Sequence, residues 1–218
     1  MLLLFVFLAS LFCQIRGHGM MLDPPGRSSL WRFNDLAPIN YNDNQNFCGG
    51  FYVQHSLNNG SCGVCGDIYS NEHPQDNENT GKYGQGIVVK EYEGGSVIDV
   101  FINVTANHLG YFLYSLCELE DPNAPESGED CFESLFLEDG STNFTVTEDI
   151  SEVTNRVVLP NIDCPRCVLR WTYITGNNWG LCDDGVWRRG CGPQENFRSC
   201  SDISITATEL TKQGFEME

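Results

Sequence analysis

Apolar and polar positions alternate over several short stretches of the C-terminal two thirds of the chain. Ile98, Val100, Ile102 and Val104 share one side of an extended segment, and Asp99 and Asn103 share the other. That period-two pattern predicts a strand buried on one face. Tyr111 to Cys117, Asn143 to Thr147, Arg156 to Leu159 and Cys167 to Ile174 read as further strands. A last strand turns Ile203, Ile205 and Ala207 inward and Asp202, Ser204 and Thr206 outward. No helical stripe competes. From Gly19 to Tyr83 the pattern fails, and Gly, Asn, Asp and Pro dominate. A loop region of that length inside a compact domain is either functional or cross-linked. Short strands with turn-rich connections predict an all-β protein. The fold expected is an immunoglobulin/fibronectin-III-like β-sandwich with long disulfide-pinned loops gathered at one end.

The first residues do not belong to that pattern. Leu2 to Phe12 are almost purely apolar, too short a run to span a bilayer but the length of a signal-peptide core. Gly17 is small enough to precede a cleavage site. Residues 1–17 are therefore expected to be a signal peptide and 18–218 a single catalytic β-sandwich domain of a secreted, extracellular protein. Cleavage removes Cys13 and Arg16, which takes eleven cysteines to ten and the net charge from −18 to −19. Thr211 to Glu218 are polar and carry no hydrophobic tail, so neither a GPI signal nor a C-terminal span is expected. Sequons at Asn59, Asn103 and Asn143 fit a glycoprotein.

Composition narrows the partners. With 41% hydrophobic and 19% charged residues among 218, the chain can build a core and is not disordered. Its 30 acidic residues against 12 basic ones repel phosphate backbones, so nucleic acid and membranes are excluded as partners. A neutral substrate fits, and a monomer is expected. Cys62-Gly-Val-Cys65 and Cys164-Pro-Arg-Cys167 could be zinc knuckles, but about a hundred residues separate them, far more than in zinc modules. Disulfides in an oxidising compartment are the simpler reading, with the pairing left open. Asp76 to Gly81 has a calcium-loop flavour, but Ile87 stands where a bidentate Glu is needed.

The histidines carry the candidate chemistry. Once exposed as the first residue, His18 owns two nitrogen donors, its α-amine and its ring Nδ1. An amine of unperturbed pKa ~7.7–8.0 loses its proton readily to a metal. A second imidazole completes a planar three-nitrogen set, which favours Cu(II). His55 and His73 read as surface residues. His108 follows one alternating strand and precedes another, at a loop tip where sites commonly form.

Taken together, His18-Gly19 after a signal, the Ala106-x-His108 pair and Asn196-Phe-Arg-Ser-Cys-Ser-Asp-Ile203 resemble a lytic polysaccharide monooxygenase. Ser61-Cys-Gly-Val-Cys-Gly-Asp67 and Gly190-Cys-Gly-Pro-Gln-Glu195 narrow the resemblance to auxiliary-activity family fifteen, found in animals, oomycetes and some viruses. It covers essentially the whole chain after residue 17. The resemblance implies one copper per chain in a histidine brace: His18 gives its amine and Nδ1, and His108 gives Nε2. It implies an axial aromatic at Phe197, which also reads as core, and a crowding small residue at Ala106. A group beside the oxygen co-substrate is implied at Gln194 or Glu195, with Glu195 preferred. The implied activity is oxidative cleavage of crystalline β-1,4 polysaccharide, chitin favoured over cellulose, with O2 or H2O2 and an external electron donor. The alternative is a secreted copper-binding or chitin-binding protein on the same scaffold without turnover. Trp31, Tyr41, Tyr52 and Tyr83 are candidates for stacking on sugar rings, Trp171 reads as core, and Trp179 and Trp187 stay open.

Overall fold

The computed structural model describes residues 18–209; the expected signal segment lies outside them. Twelve strands run β1 (His18–Asp23), β2 (Lys90–Glu93), β3 (Val97–Ala106), β4 (Tyr111–Glu118), β5 (Glu133–Ser134), β6 (Phe136–Leu137), β7 (Phe144–Thr145), β8 (Glu152–Val158), β9 (Cys164–Ile174), β10 (Trp179–Leu181), β11 (Trp187–Arg189) and β12 (Asn196–Thr206). The helical turns are short: Leu30–Arg32, Tyr52–Leu57 and Glu129–Cys131. Among the described residues no helix is long and apolar enough to cross a membrane.

One sheet has the order β1-β3-β8-β6, and the other β2-β12-β9-β4-β5 with β7 also on β4. Their inner faces bury the alternating positions read from the sequence: Ile98, Val100, Ile102 and Val104 meet Phe112, Leu169, Trp171, Tyr173, Ile203 and Ile205. The expected strand at Asn143 to Thr147 forms over only two residues. Asp202 faces away from the sandwich core as expected, but it is buried there rather than exposed. Its carboxylate accepts bonds from Arg27 Nε and NH2 at 2.9 and 2.8 Å, and both residues are buried.

The reason lies in residues 24–89. This segment folds over the larger sheet, so β9 and β12 are covered on both faces. Val64 and Cys65 pack on Cys117, Val168 and Cys200 there. The β12 edge left open above its pairing with β2 is capped by main chain: Arg27 N donates to Cys200 O at 2.7 Å, Arg198 N to Asn46 O at 2.9 Å and Val89 N to Asp202 O at 2.9 Å. Capping an edge in this way removes a template for strand addition. All ten cysteines of the described chain pair: Cys48–Cys62, Cys65–Cys200, Cys117–Cys131, Cys164–Cys167 and Cys182–Cys191. The two C-x-x-C pairs thus behave differently. Cys164 and Cys167 bond each other, whereas Cys62 and Cys65 reach separate partners.

Candidate metal centre

His18 opens β1, opposite Ala106 in β3. Two contacts fix that end of the strand. Gly19 N donates to Asn44 O at 3.1 Å. A Cβ on Gly19 would come within 2.9 Å of Trp171 Cη2, so a side chain at position 19 would have to displace a buried indole. The His18 ring lies 6.4 Å from the ring of Phe197 between centroids.

His108 stands on the reversal between β3 and β4. Leu109 and Gly110 take φ of 57° and 93°. At Gly110 a Cβ would strike Ile174 O at 2.1 Å, so glycine is required there. Asn107 ties the loop down, donating through Nδ2 to Thr147 O and Ile150 O at 2.7 Å each. His108 itself is gripped at three points. Its N–H donates to the Tyr173 hydroxyl at 2.8 Å. Its carbonyl accepts from Gly176 N at 2.9 Å. Its Nδ1 meets the Asn177 side-chain amide at 2.8 Å. Burial, then the neighbouring His18 and Arg189, hold the imidazole below its ordinary pKa, which favours the neutral, ligand-competent ring. Burial likewise pushes the Tyr173 phenol up to about 12, so it stays a neutral hydroxyl.

The remaining nitrogen, His108 Nε2, is buried and has no hydrogen-bond partner. A buried polar atom without a partner is costly, and a metal ion would satisfy it. No cluster of three or more His, Cys, Asp or Glu side chains among the described residues could hold a metal ion.

Phe197 is both core and neighbour of the pair. It is buried, with ring centroids 6.1 Å from Phe47 and 5.9 Å from Tyr173. The two candidates before it separate. Gln194 spends its amide on the loop beside it: Oε1 accepts from Asn178 N at 3.0 Å, and Nε2 donates to Cys191 O at 2.8 Å. Glu195 is buried rather than an exposed surface acid, with its carbonyl accepting from Thr175 N at 3.0 Å. A Cβ at Gly50 would lie 3.7 Å from Glu195 Oε1.

The aromatic candidates divide as well. Tyr41 and Tyr52 are 79% and 66% exposed, while Tyr83 is buried and Trp31 half-buried with its indole N–H on Asp43 at 3.1 Å. Trp171 is fully buried, as expected. The unassigned pair belongs to a β10–β11 hairpin, where Trp179 faces Arg189 and Leu181 faces Trp187 across the ladder. The four therefore share one side, and Trp179 and Trp187 are 69% and 66% exposed. His55 is not a plain surface residue, since its Nε2 lies 2.8 Å from Gln194 O. Sequence reading missed Tyr173 and Asn177. Tyr173 sits in an apolar strand pattern and Asn177 in a Gly-Asn-Asn turn, and neither pattern signals a contact with His108.

The chain is similar to several known proteins. A family model described as lytic polysaccharide mono-oxygenase, cellulose-degrading, matches residues 18–203. A solved lytic polysaccharide monooxygenase AA15 from Thermobia domestica, in the Cu(I) state, is 46% identical and superposes with a TM-score of 0.84 over 88% of this chain and 100% of its own. An AA10 lytic polysaccharide monooxygenase from Streptomyces lividans is 14% identical, with a TM-score of 0.49 over 86% of this chain and 99% of its own. No curated protein matches.

Proposed function

Because the chain belongs to the lytic polysaccharide monooxygenases, as a copper-dependent oxidoreductase of family AA15, we propose that it holds one copper between His18 and His108 and cleaves chitin outside the cell. Secretion follows from removal of residues 1–17, which leaves 18–218 as one catalytic domain. The start of the family match at His18 and the five disulfides support that division. The observation that carries the metal assignment is His108 Nε2, buried without a partner beside His18.

In this reading His18 offers its freed α-amine and Nδ1, and His108 offers Nε2. Copper, with an external electron donor, supplies the redox chemistry by which O2 or H2O2 oxidises a sugar C–H, after which the glycosidic bond breaks. The protein does the rest by position. Ala106, paired with His18, keeps a small side chain beside the ligands. Phe197 puts a ring without oxygen next to His18, so it packs the site and adds no ligand atom. Of the two residues before Phe197, Glu195 is the one to hydrogen-bond the oxygen co-substrate, because the Gln194 amide is committed to Asn178 and Cys191. Exposed Trp179, Trp187, Tyr41 and Tyr52 offer rings for stacking on sugar faces. Cellulose is the second reading, favoured by the family's own description.

The test is mass spectrometry of products from chitin and from cellulose with copper and ascorbate. Oxidised chitin oligosaccharides are expected, and oxidised products from cellulose alone would move the substrate to the second reading. His108→Ala should lose most copper affinity and all oxidised product while keeping the β-fold by circular dichroism. Turnover like the wild type in that variant would overturn the metal assignment. Copper binding without any product from either polymer would leave a non-catalytic copper protein.

A further inference from the structure

Asn177 has two side-chain atoms, and the structure gives each a different fate. One end of its amide meets His108 Nδ1 at 2.8 Å. The Oδ1 end is buried and has no partner. With the amide nitrogen toward the ring, Asn177 donates and Nδ1 must be bare. The ring proton then sits on Nε2, a buried donor with nothing to receive it. Turning the amide over exchanges its oxygen and nitrogen without moving any other atom. Oδ1 then accepts from Nδ1–H, and Nε2 carries a lone pair instead of a stranded proton.

The strip that carries Asn177 is anchored on every side. Thr175 N donates to Glu195 O at 3.0 Å, and Gly176 N donates to His108 O at 2.9 Å. Asn178 N donates to Gln194 Oε1 at 3.0 Å, and Asn178 O accepts from Gly190 N at 2.7 Å. Asn177 is thus held by its neighbours on both sides, between His108 and the first residue of the hairpin, Trp179. A side chain on so fixed a stretch of backbone can set the angle of the ring it touches.

We propose that Asn177 is the positioning residue of the copper site: its Oδ1 accepts the Nδ1 proton of His108, which fixes the ring's tautomer and orientation and presents Nε2 to copper. The proposal rests on His108 being a copper ligand. Partners of this kind, bonded to the far nitrogen of a ligating histidine, typically change metal affinity ~10–100-fold when removed.

The decisive measurement uses metal-free protein, so it does not depend on turnover. Long-range 15N–1H correlation spectra of the wild type should show His108 protonated on Nδ1. Protonation on Nε2 would overturn the proposal without any variant. Asn177→Asp keeps an acceptor of the same size and should retain the Nδ1–H tautomer and copper binding. Asn177→Leu removes it and should shift the ring toward Nε2–H, lower Cu(II) affinity about 10–100-fold and change the Cu(II) electron paramagnetic resonance spectrum. Equal loss in both variants, or wild-type tautomer and affinity in Asn177→Leu, would also overturn it. Failure of the copper reading itself is separate, since it would appear as full copper affinity in His108→Ala.

Discussion

The two sheets and the segment at residues 24–89 are stable for different reasons. The sheets bury a continuous apolar cluster from Met21 to Ile205, and strand ladders satisfy their backbones. The segment at 24–89 has little regular structure. It is held by cross-links and by buried polar groups aimed back at the sheet. Arg27 shows this best. Burial alone would lower its pKa, yet Asp202 and Glu126 raise it. Its guanidinium also donates to Asn77 O at 2.9 Å. The lesson is that a long loop can be as ordered as a sheet when its hydrogen bonds end on a rigid element.

Breaking the polar attachment should do the greatest damage. Arg27→Met leaves the Glu126 carboxylate, 2.7 Å away in the native pair, buried without its cation, and leaves Asp202, 2.8 Å away, only the more distant Arg166 at 4.0 Å. A loss of about 3–5 kcal/mol is expected in denaturant melts. The exposed Arg156–Glu138 pair is the control, and its disruption should cost under about 1 kcal/mol. Replacing Cys65 and Cys200 together by Ser removes the bridge between loop and β12. It should cost about 2–5 kcal/mol, with hydrogen exchange rising in 24–89 before it rises in β3 and β9. Replacing Trp179 and Trp187 by Ala touches neither region's support. Melting temperature should hold while binding to insoluble polysaccharide weakens about tenfold or more, at ~1–3 kcal/mol per stacked ring by analogy with other ring-stacking sites.

The smallest expected effect is a pH slope. Burial pushes the Asp67 carboxyl up to about 6 from 3.8, against the bonds it accepts from Asn77. Between those values the folded state binds the proton more tightly than the unfolded one. The contribution is therefore present in full below the lower value and is lost as pH rises through the upper. Asp67→Asn should flatten that part of the stability profile measured by denaturant titration from pH 4 to 7.

The sandwich was legible because its strands alternate in the simple way. Val100 and Val104 are buried and Asp99 exposed for the reason any half-covered strand is. β1 was not legible. Gly19, Met20 and Met21 are buried in succession, and its pairing with β3 slips between His18 and Met20 and again after Met21. Asp202 misled because its partner, Arg27, lies 175 residues away in sequence. Family motifs pointed to His18, His108, Phe197 and Glu195, but not to the contacts among them. Asn177 and Tyr173 carry no motif, since their contacts with His108 arise only when segments distant in sequence meet.

The hairpin of β10 and β11 pairs with neither large sheet, and its disulfide, Cys182–Cys191, closes it on itself. Its other side carries Gly180 opposite Arg188, and a Cβ on Gly180 would strike Cys191 O at 2.0 Å, so the strand sits flush on its own base there. A unit closed in this way is interchangeable. Provided the glycine and the two cysteines stay, its tip from Asp183 to Val186 and its outward rings can vary in sequence without repacking the core. Selection can then change the exposed face of the hairpin while the core of the two sheets is left alone.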